Sequence, residues 1–304
     1  MHGDRLDQHD DERREEQNVE TLTEESTSGF VEIFEDDLEM RIHYNSAGEG
    51  PAVIMIHGGG PGASGWSNFH RNIEDFATAG YRTILVDCPG FGRSDPIATP
   101  DASGRTNAKA IRGLMRELNI QKAHLVGNSM GGASAIRFAL DHPERVDRLV
   151  VMGPANLGDS LFTPVPMEGI KLLMNLYLNP TLEAVEEMLR VFVYDQSTVT
   201  EELKQGRLRN IMRDDGLHLK SFVAAMENSS DFTPVDLSSQ LRDITAKTLA
   251  IHGANDRFVP MDHALKVVKG IADCRLTIFN RCGHWVQWEH AEEFNRVVLD
   301  FLRS

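Results

Sequence analysis

Gly127-Asn128-Ser129-Met130-Gly131 follows the apolar run 123–126 and opens an apolar helical pattern. A G-x-S-x-G pentapeptide alone carries little weight, since Gly and Ser at roughly 7 % each produce it in about one chain in ten. Its setting carries more. A serine on a sharp turn from strand to helix is the arrangement that exposes a nucleophilic hydroxyl, and the flanking glycines suit a turn where a Cβ would clash.

Outward from this stretch, short apolar runs recur along the chain. Residues 30–34 and 40–44 read as an N-terminal hairpin, and 53–56, 83–86, 124–126, 149–152, 249–251 and 276–279 as further strands. These further runs do not alternate polar with apolar, so both faces are expected to be buried, as in a parallel sheet. Helical patterns fill the gaps at 108–118, 131–140, 262–268 and 289–302. Such alternation predicts an α/β fold with helices on both sheet faces, ligands sitting beyond the carboxyl ends of the strands. The Gly-rich and His-containing loops all fall at those ends. Residues 156–232 break the alternation, with helical patterns at 168–177, 182–193 and 201–212 and no strand run. They are expected to form a helical lid between two halves of the core, 29–155 and 233–304.

A serine hydroxyl needs a base, and the base an orienting acid. The chain order in this architecture, the α/β-hydrolase fold, is Ser, then Asp or Glu, then His. Of the late histidines, His263 and His290 lie in helical patterns and His252 lies four residues before the best acid candidate. His284 sits in a loop after the last strand run and is the expected base. Asp256 follows the 249–251 strand in Gly253-Ala254-Asn255-Asp256-Arg257 and is preferred over Asp243 and Asp273 as the acid. Attack on a carbonyl builds charge on oxygen, which backbone N–H groups stabilise. Met130, after the nucleophile, and Gly59, in His57-Gly58-Gly59-Gly60-Pro61-Gly62, are the expected donors. A phosphate-binding reading of that loop has weak support, because no G-K-[ST] follows and the G-x-G-x-x-G order is absent.

Composition narrows the class. The formal charge is −15, which disfavours nucleic acid and anionic membranes as partners. No apolar run approaches the roughly 18 residues of a membrane span, and the N-terminus lacks the pattern of a secretory signal. Three cysteines, Cys88, Cys274 and Cys282, fit a cytoplasmic protein with free thiols. No His/Cys clustering suggests a metal site. Residues 1–28 hold ten acids and three arginines and are expected to be a disordered acidic tail.

Several longer motifs carry a resemblance. His57-Gly58-Gly59-Gly60-Pro61-Gly62-Ala63-Ser64-Gly65-Trp66-Ser67-Asn68-Phe69, the Ser129 motif through Gly132, Asp256-Arg257-Phe258-Val259-Pro260-Met261-Asp262, and Cys282-Gly283-His284-Trp285-Val286-Gln287-Trp288-Glu289-His290 are similar to the meta-cleavage product hydrolases. These are carbon–carbon bond hydrolases of aromatic-ring degradation. In the lid, Pro166-Met167-Glu168-Gly169-Ile170-Lys171 and the stretch from Val193-Tyr194-Asp195-Gln196 to Gly206-Arg207 extend the likeness over about residues 30–304. The resemblance implies a 2-hydroxy-6-oxohexa-2,4-dienoate bearing a C6 group as substrate, cleaved to a 2-hydroxypenta-2,4-dienoate and a carboxylic acid. It implies no metal and no organic cofactor, and a homo-oligomer. Arg207 matches the arginine that holds the substrate carboxylate. Asn128, Asn68, Gly60 and Trp285 match its neighbours. Ala155, Ile170, Met188, Phe192, Phe258 and Val259 are expected around the C6 group. Residues 166–171 and 194–207 lean to the biphenyl-pathway branch, whereas 27–44 and 86–94 lean to the phenylpropionate-pathway branch. A proline iminopeptidase or carboxylesterase is the competing enzyme reading, and a non-catalytic ligand receptor the competing class. Aspartate-nucleophile dehalogenases and epoxide hydrolases are set aside because position 129 is serine.

Overall fold

The expected strands assemble, in a computed structural model that describes residues 21–97, 104–165, 167–228 and 235–304, into one sheet. In chain order the elements are β1 (Ser28–Glu35), β2 (Leu38–Ala47), β3 (Ala52–Ile56), α1 (Gly65–Phe69), α2 (Ile73–Thr78), β4 (Arg82–Val86), α3 (Arg105–Glu117), β5 (Ala123–Asn128), α4 (Met130–Asp141) and β6 (Val146–Met152). There follow α5 (Glu168–Leu178), α6 (Leu182–Phe192), α7 (Glu201–Ile211), α8 (Leu217–Asn228), β7 (Lys247–Gly253), α9 (Asp262–Gly270), β8 (Cys274–Phe279), α10 (Val286–Glu289) and α11 (Ala291–Arg303). The eight strands lie in the order β1-β2-β4-β3-β5-β6-β7-β8. β2 runs antiparallel to β1 and β4, and the remaining pairs are parallel.

The mostly parallel sheet expected from the sequence is therefore present, and its burial explains why the runs do not alternate. Every residue of β3 and β5 is buried. On β3, Ile54 and Ile56 face a core shared with α3, α4 and α9. Val53 and Met55 face a second core shared with α2 and α11. One strand thus needs apolar side chains at both parities. The helices each bury a single stripe. In α11, Phe294, Val298, Phe301 and Leu302 recur at helical spacing and are buried.

Chain order places the site. From β3 the chain goes to β4 on one side and then to β5 on the other. A crevice opens where such neighbours diverge, beyond their carboxyl ends. The loop 57–62 leaves β3 there, and Ser129 leaves β5.

Helices α5–α8 lie between β6 and β7, with a third apolar cluster of their own. Leu176, Val185, Met188, Leu189, Phe192 and Ile211 pack there with Phe258, Val259, Trp285 and Trp288 from the core loops. Thr181 and Thr200 cap α6 and α7, their hydroxyls accepting from Ala184 N and Leu203 N. The two ends of this insertion meet, Leu237 N donating to Asn156 O at 2.8 Å.

Three details differ from the sequence reading. Residues 22–28, assigned to the acidic tail, are part of the fold: Leu22 packs against the second core, Thr27 is buried, and Asn45 Nδ2 donates to Glu24 O at 2.7 Å. The acidic composition concealed these few anchors; residues 1–20, most of the expected tail, lie outside the described residues, as does Pro166. The helix expected over 289–302 begins two residues later, as α11, and a short helix α10 precedes it across His290 (φ −121°, ψ 46°). Helices α1, α2 and α8 were not foreseen.

Candidate active site

Ser129 stands between β5 and α4 with φ 56° and ψ −115°. This is a strained conformation for a residue with a Cβ, and such strain costs about 1–3 kcal/mol. Hydrogen bonds hold it in place. Ser129 N donates to Met152 O at 2.8 Å, and Ser129 O accepts from Ala133 N at 3.0 Å and Ala155 N at 3.2 Å. The motif glycines permit the approach of neighbouring backbone. A Cβ on Gly127 would lie 2.3 Å from Gly131 O, and one on Gly131 2.1 Å from Ile56 O.

The loop after β3 covers this turn. A Cβ on Gly58 would lie 3.3 Å from Ser129 Cβ, and one on Gly59 3.6 Å from Met130 Cβ. Gly59 and Met130, the two expected N–H donors, are therefore neighbours. His57 anchors the loop: its Nδ1 donates to Gly58 O at 2.7 Å and its Nε2 accepts from Cys88 N at 3.0 Å. Full burial lowers its pKa, in keeping with a neutral ring that both donates and accepts. Asn68 is spent within the same loop. Its Oδ1 accepts from Gly58 N at 3.4 Å and its Nδ2 donates to Ser64 O and Ser67 Oγ.

His284 Nδ1 donates to Asp256 Oδ2 at 2.7 Å, with both side chains buried. Asp256 Oδ1 accepts from Phe258 N at 2.7 Å and Val259 N at 3.0 Å. Burial alone would raise the Asp256 carboxyl, but the charge and hydrogen bond of His284, with His252 and the Val259 amide, hold it below the ordinary carboxylate value. Asp256 thus stays ionised. Asn128 Nδ2, next to Ser129, donates to His284 O at 3.3 Å and ties the two loops together. Gly153, after β6, lies beneath the pair: a Cβ there would be 3.1 Å from Asp256 Oδ2 and 3.2 Å from His284 Cε1. The other three late histidines make their hydrogen bonds to backbone carbonyls. His252 Nε2 donates to Val259 O at 3.2 Å, His263 bonds the Pro154 and Gly158 carbonyls, and His290 bonds Arg281 O.

Arg207, on α7, is 2 % exposed. Its Nε donates to Pro61 O at 2.7 Å, while Nη1 and Nη2 have no hydrogen-bond partner. A Cβ on Gly60 would sit 3.3 Å from Nη2, so the guanidinium adjoins the glycine loop. Burial brings its pKa down to about 10 from an ordinary 12.5, with Tyr177 acting in the opposite sense. Trp285 and Phe192 lie beside it, their ring centres 5.7 Å and 6.0 Å from its Cζ. Phe192 stacks on Phe258 at 4.1 Å and on Trp285 at 4.3 Å, and Phe258 stacks on His284 at 5.2 Å. Met188 and Val259 are buried in this cluster, and Ile170 packs on it half-buried. Ala155 lies apart from that cluster, against the Ser129 carbonyl. Asn128 Oδ1 is buried without a partner.

Three contributors went unread in the sequence. His57 stood in a quoted motif whose glycines alone were given roles. Gly153 and Tyr177, whose hydroxyl bonds the Gly60 backbone, had no distinguishing pattern. Among the described residues, no group of three or more His, Cys, Asp or Glu is arranged to hold a metal ion, and no helix is long and apolar enough to cross a membrane.

Comparison with known proteins agrees with this geometry. The family pattern of the α/β-hydrolase fold matches residues 51–291. A 2-hydroxy-6-oxo-6-phenylhexa-2,4-dienoate hydrolase of Comamonas testosteroni is 55 % identical over 284 residues, 93 % of this chain and 99 % of the relative. A 2-hydroxy-6-oxononadienedioate/2-hydroxy-6-oxononatrienedioate hydrolase of the same species is 54 % identical, again over 93 % of this chain and 99 % of the relative. A solved meta-cleavage product hydrolase from Pseudomonas fluorescens superposes with a TM-score of 0.78 at 33 % identity, covering 90 % of this chain and 97 % of that one. The chain belongs to the α/β-hydrolase family, among the meta-cleavage product hydrolases.

Proposed function

We propose that the protein hydrolyses the carbon–carbon bond of 2-hydroxy-6-oxohexa-2,4-dienoates bearing a C6 substituent. The products are a 2-hydroxypenta-2,4-dienoate and a carboxylic acid. The observation that carries the reading is Arg207: a buried guanidinium whose two Nη groups lack partners beside the glycine loop. Such a group is costly unless an anion meets it. A substrate carboxylate would make a bidentate pair with it and fix the register of the chain. Gly60 and Trp285 adjoin that end, Asn128 stands across Gly58 with its buried Oδ1 free for the substrate, and Asn68 acts at one remove, by bracing Gly58.

Ser129 is the nucleophile in this mechanism, or orients the water that is. His284 takes the proton from the attacking oxygen. Asp256 holds the ring with Nδ1 protonated and stabilises the imidazolium that forms. The backbone N–H groups of Gly59 and Met130 meet the charge on the C6 oxygen. Ketonisation of the dienol precedes attack. It makes C5 able to leave as a stabilised carbanion, which the proton held by His284 can quench. Water then completes release of the acid.

Ile170, Met188, Phe192, Phe258 and Val259, with Ala155 beneath, receive the C6 group. All six are uncharged, which favours an aryl group over a carboxyalkyl one. Helices α5–α8 act as the lid. The free cysteines suit a cytoplasmic setting. A homo-oligomer fits the open sheet edge at β8, where Ile278 is 44 % exposed.

The test follows the visible absorbance of 2-hydroxy-6-oxo-6-phenylhexa-2,4-dienoate beside the nonadienedioate analogue. Rapid bleaching of the phenyl compound, abolished in Ser129→Ala with binding retained, is expected. Brisk ester hydrolysis without bleaching of either dienoate would overturn the proposal.

A further inference from the structure

Glu289 closes α10, five residues after His284, and takes no part in the reaction described above. Its carboxylate nevertheless joins two distant segments. Oε1 accepts from Tyr194 N at 2.7 Å and from Asp195 N at 2.9 Å. Oε2 accepts from Gly283 N at 2.6 Å. Residues 194–195 follow α6, the helix that carries Met188 and Phe192. Gly283 immediately precedes His284. Beside this bridge, His284 N donates to Phe192 O at 2.7 Å. A Cβ on Gly283 would lie 2.4 Å from that same oxygen, so the two backbones touch. The Cys282 thiol also hydrogen-bonds to the Glu289 side chain.

The histidine loop is held from its other side by the aspartate loop. Asn255 N donates to Cys282 O at 2.9 Å, and a Cβ on Gly253 would strike Gly283 O. His284 thus sits between the Asp256 loop and the segment leaving α6. With Glu289 in place, its backbone position depends on both.

Three backbone N–H groups converging on one carboxylate are more than surface capping requires. Hydrogen bonds to an ionised acceptor are roughly twice as strong as neutral ones. No uncharged side chain of this size could accept on both oxygens. We infer that Glu289 is a positioning residue that fastens the lid segment 192–195 to the histidine loop, so that His284 is aligned for proton transfer only while the lid is seated on the core. This rests on the proposed triad. It extends that reading by giving the lid a role in catalysis beyond enclosing the substrate.

The consequence is a split between chemistry and binding. The Arg207 contact lies on α7 and does not pass through Glu289. Loss of the clamp should leave substrate affinity nearly unchanged and slow turnover, since a misplacement on the order of 1 Å costs about 100-fold. In Glu289→Ala we expect kcat to fall about 10- to 100-fold. Affinity for the phenyl dienoate, measured by absorbance in a Ser129→Ala background, should move less than about threefold. Glu289→Gln keeps one accepting oxygen and should recover part of the lost kcat. Amide hydrogen exchange in the folded variants should speed up at Tyr194, Asp195 and Gly283 together.

A kcat within about twofold of the parent, a loss confined to affinity, or faster exchange at 194–195 with none at 283 would each overturn the inference. If Glu289→Ala does not fold, Glu289→Gln supplies the same three readings. Ser129→Ala and His284→Ala run in parallel keep the two questions separate. Retained turnover in those variants sinks the triad assignment itself. Dead triad variants beside a fully active Glu289→Ala sink the clamp alone.

Discussion

Replacing Arg207 with methionine separates the proposed carboxylate anchor from the stability of the lid. The change keeps most of the apolar stem and removes the charge. If the substrate carboxylate pairs with both Nη groups, two charge-assisted bonds disappear at about 1.5–3 kcal/mol each. Breaking a buried pair from one side costs about 3–5 kcal/mol, the same range. At about 1.4 kcal/mol per factor of ten, a loss of about 3–5 kcal/mol lowers kcat/KM about 100- to 4000-fold. Folding should respond quite differently. In the unliganded protein the guanidinium pKa stands at about 10 against an ordinary 12.5, which corresponds to about 3 kcal/mol of unfavourable desolvation. The sign follows from a cation with a depressed pKa: the penalty is present in full at neutral pH and is relieved only as the pH rises through 10. Methionine removes that penalty. It also leaves Pro61 O without the Nε donor, at about 1–3 kcal/mol. The two effects offset each other, so the melting temperature should shift by only a few degrees. The assays are bleaching of the phenyl dienoate, hydrolysis of a neutral aryl ester, and thermal denaturation. Neutral-ester turnover should survive within about threefold. A kcat/KM for the dienoate close to that of the parent, or equal losses for dienoate and ester, would refute the anchor.

Two further expectations concern the frame around the site. Gly131→Ala places a Cβ 2.1 Å from the backbone oxygen of Ile56, so strand and helix must separate; destabilisation of about 1–3 kcal/mol or more should appear in denaturant titration, and an unchanged midpoint would contradict the packing described. Asp87 is buried against His43 (2.8 Å) and accepts from Gly65 N and Arg93 N. Burial would raise its pKa, but His43, His57 and the Arg93 amide outweigh it and bring the value below the ordinary 3.8. A depressed carboxyl contributes stability above its unfolded value and loses it as the pH falls through the folded one. Asp87→Asn should therefore be less stable than the parent by about 3 kcal/mol at neutral pH, with the gap narrowing below pH 3.8 in melting curves; a gap independent of pH would count against an ionised Asp87.

Much of this architecture was readable because its signals are local. Strands buried on both faces leave continuous apolar runs, and β3 to β7 follow them, whereas β8 at the sheet edge is only partly covered. Ser129, Asp256 and His284 each stand at the end of such a run, where chain order alone suggests their association. The features that escaped depend on contacts with no local signature. Helix α1 is five residues held by a Ser64–Ser67 capping box, too short for a periodic pattern. Glu289 acts on backbone amides of a segment 94 residues away, and any sequence supplies such amides. His57 meets the amide of Cys88 from a neighbouring strand end. Arg207 came from resemblance to a family, because the lack of partners at its Nη1 and Nη2 exists only in three dimensions. The acidic stretch before β1 misled for the reverse reason: its composition is that of a solvated tail, while Leu22, Thr27 and the Glu24 carbonyl attach its last residues.

The hydrogen bond from Leu237 N to Asn156 O closes the base of the helical insertion, so that its two stalks leave the sheet side by side. A segment with adjoining ends can change length or sequence without imposing a new spacing on its attachment points, because the loop-closure term grows only slowly with length. Insertions of this kind are natural units for grafting. The residues proposed to receive the C6 group are split between such a unit and the loops of the sheet, and the Glu289 bridge is one contact that a transplanted segment would have to reproduce. Selectivity for new side groups can therefore be sought by exchanging the whole segment between the paired stalks, with 194–195 retained as the docking point.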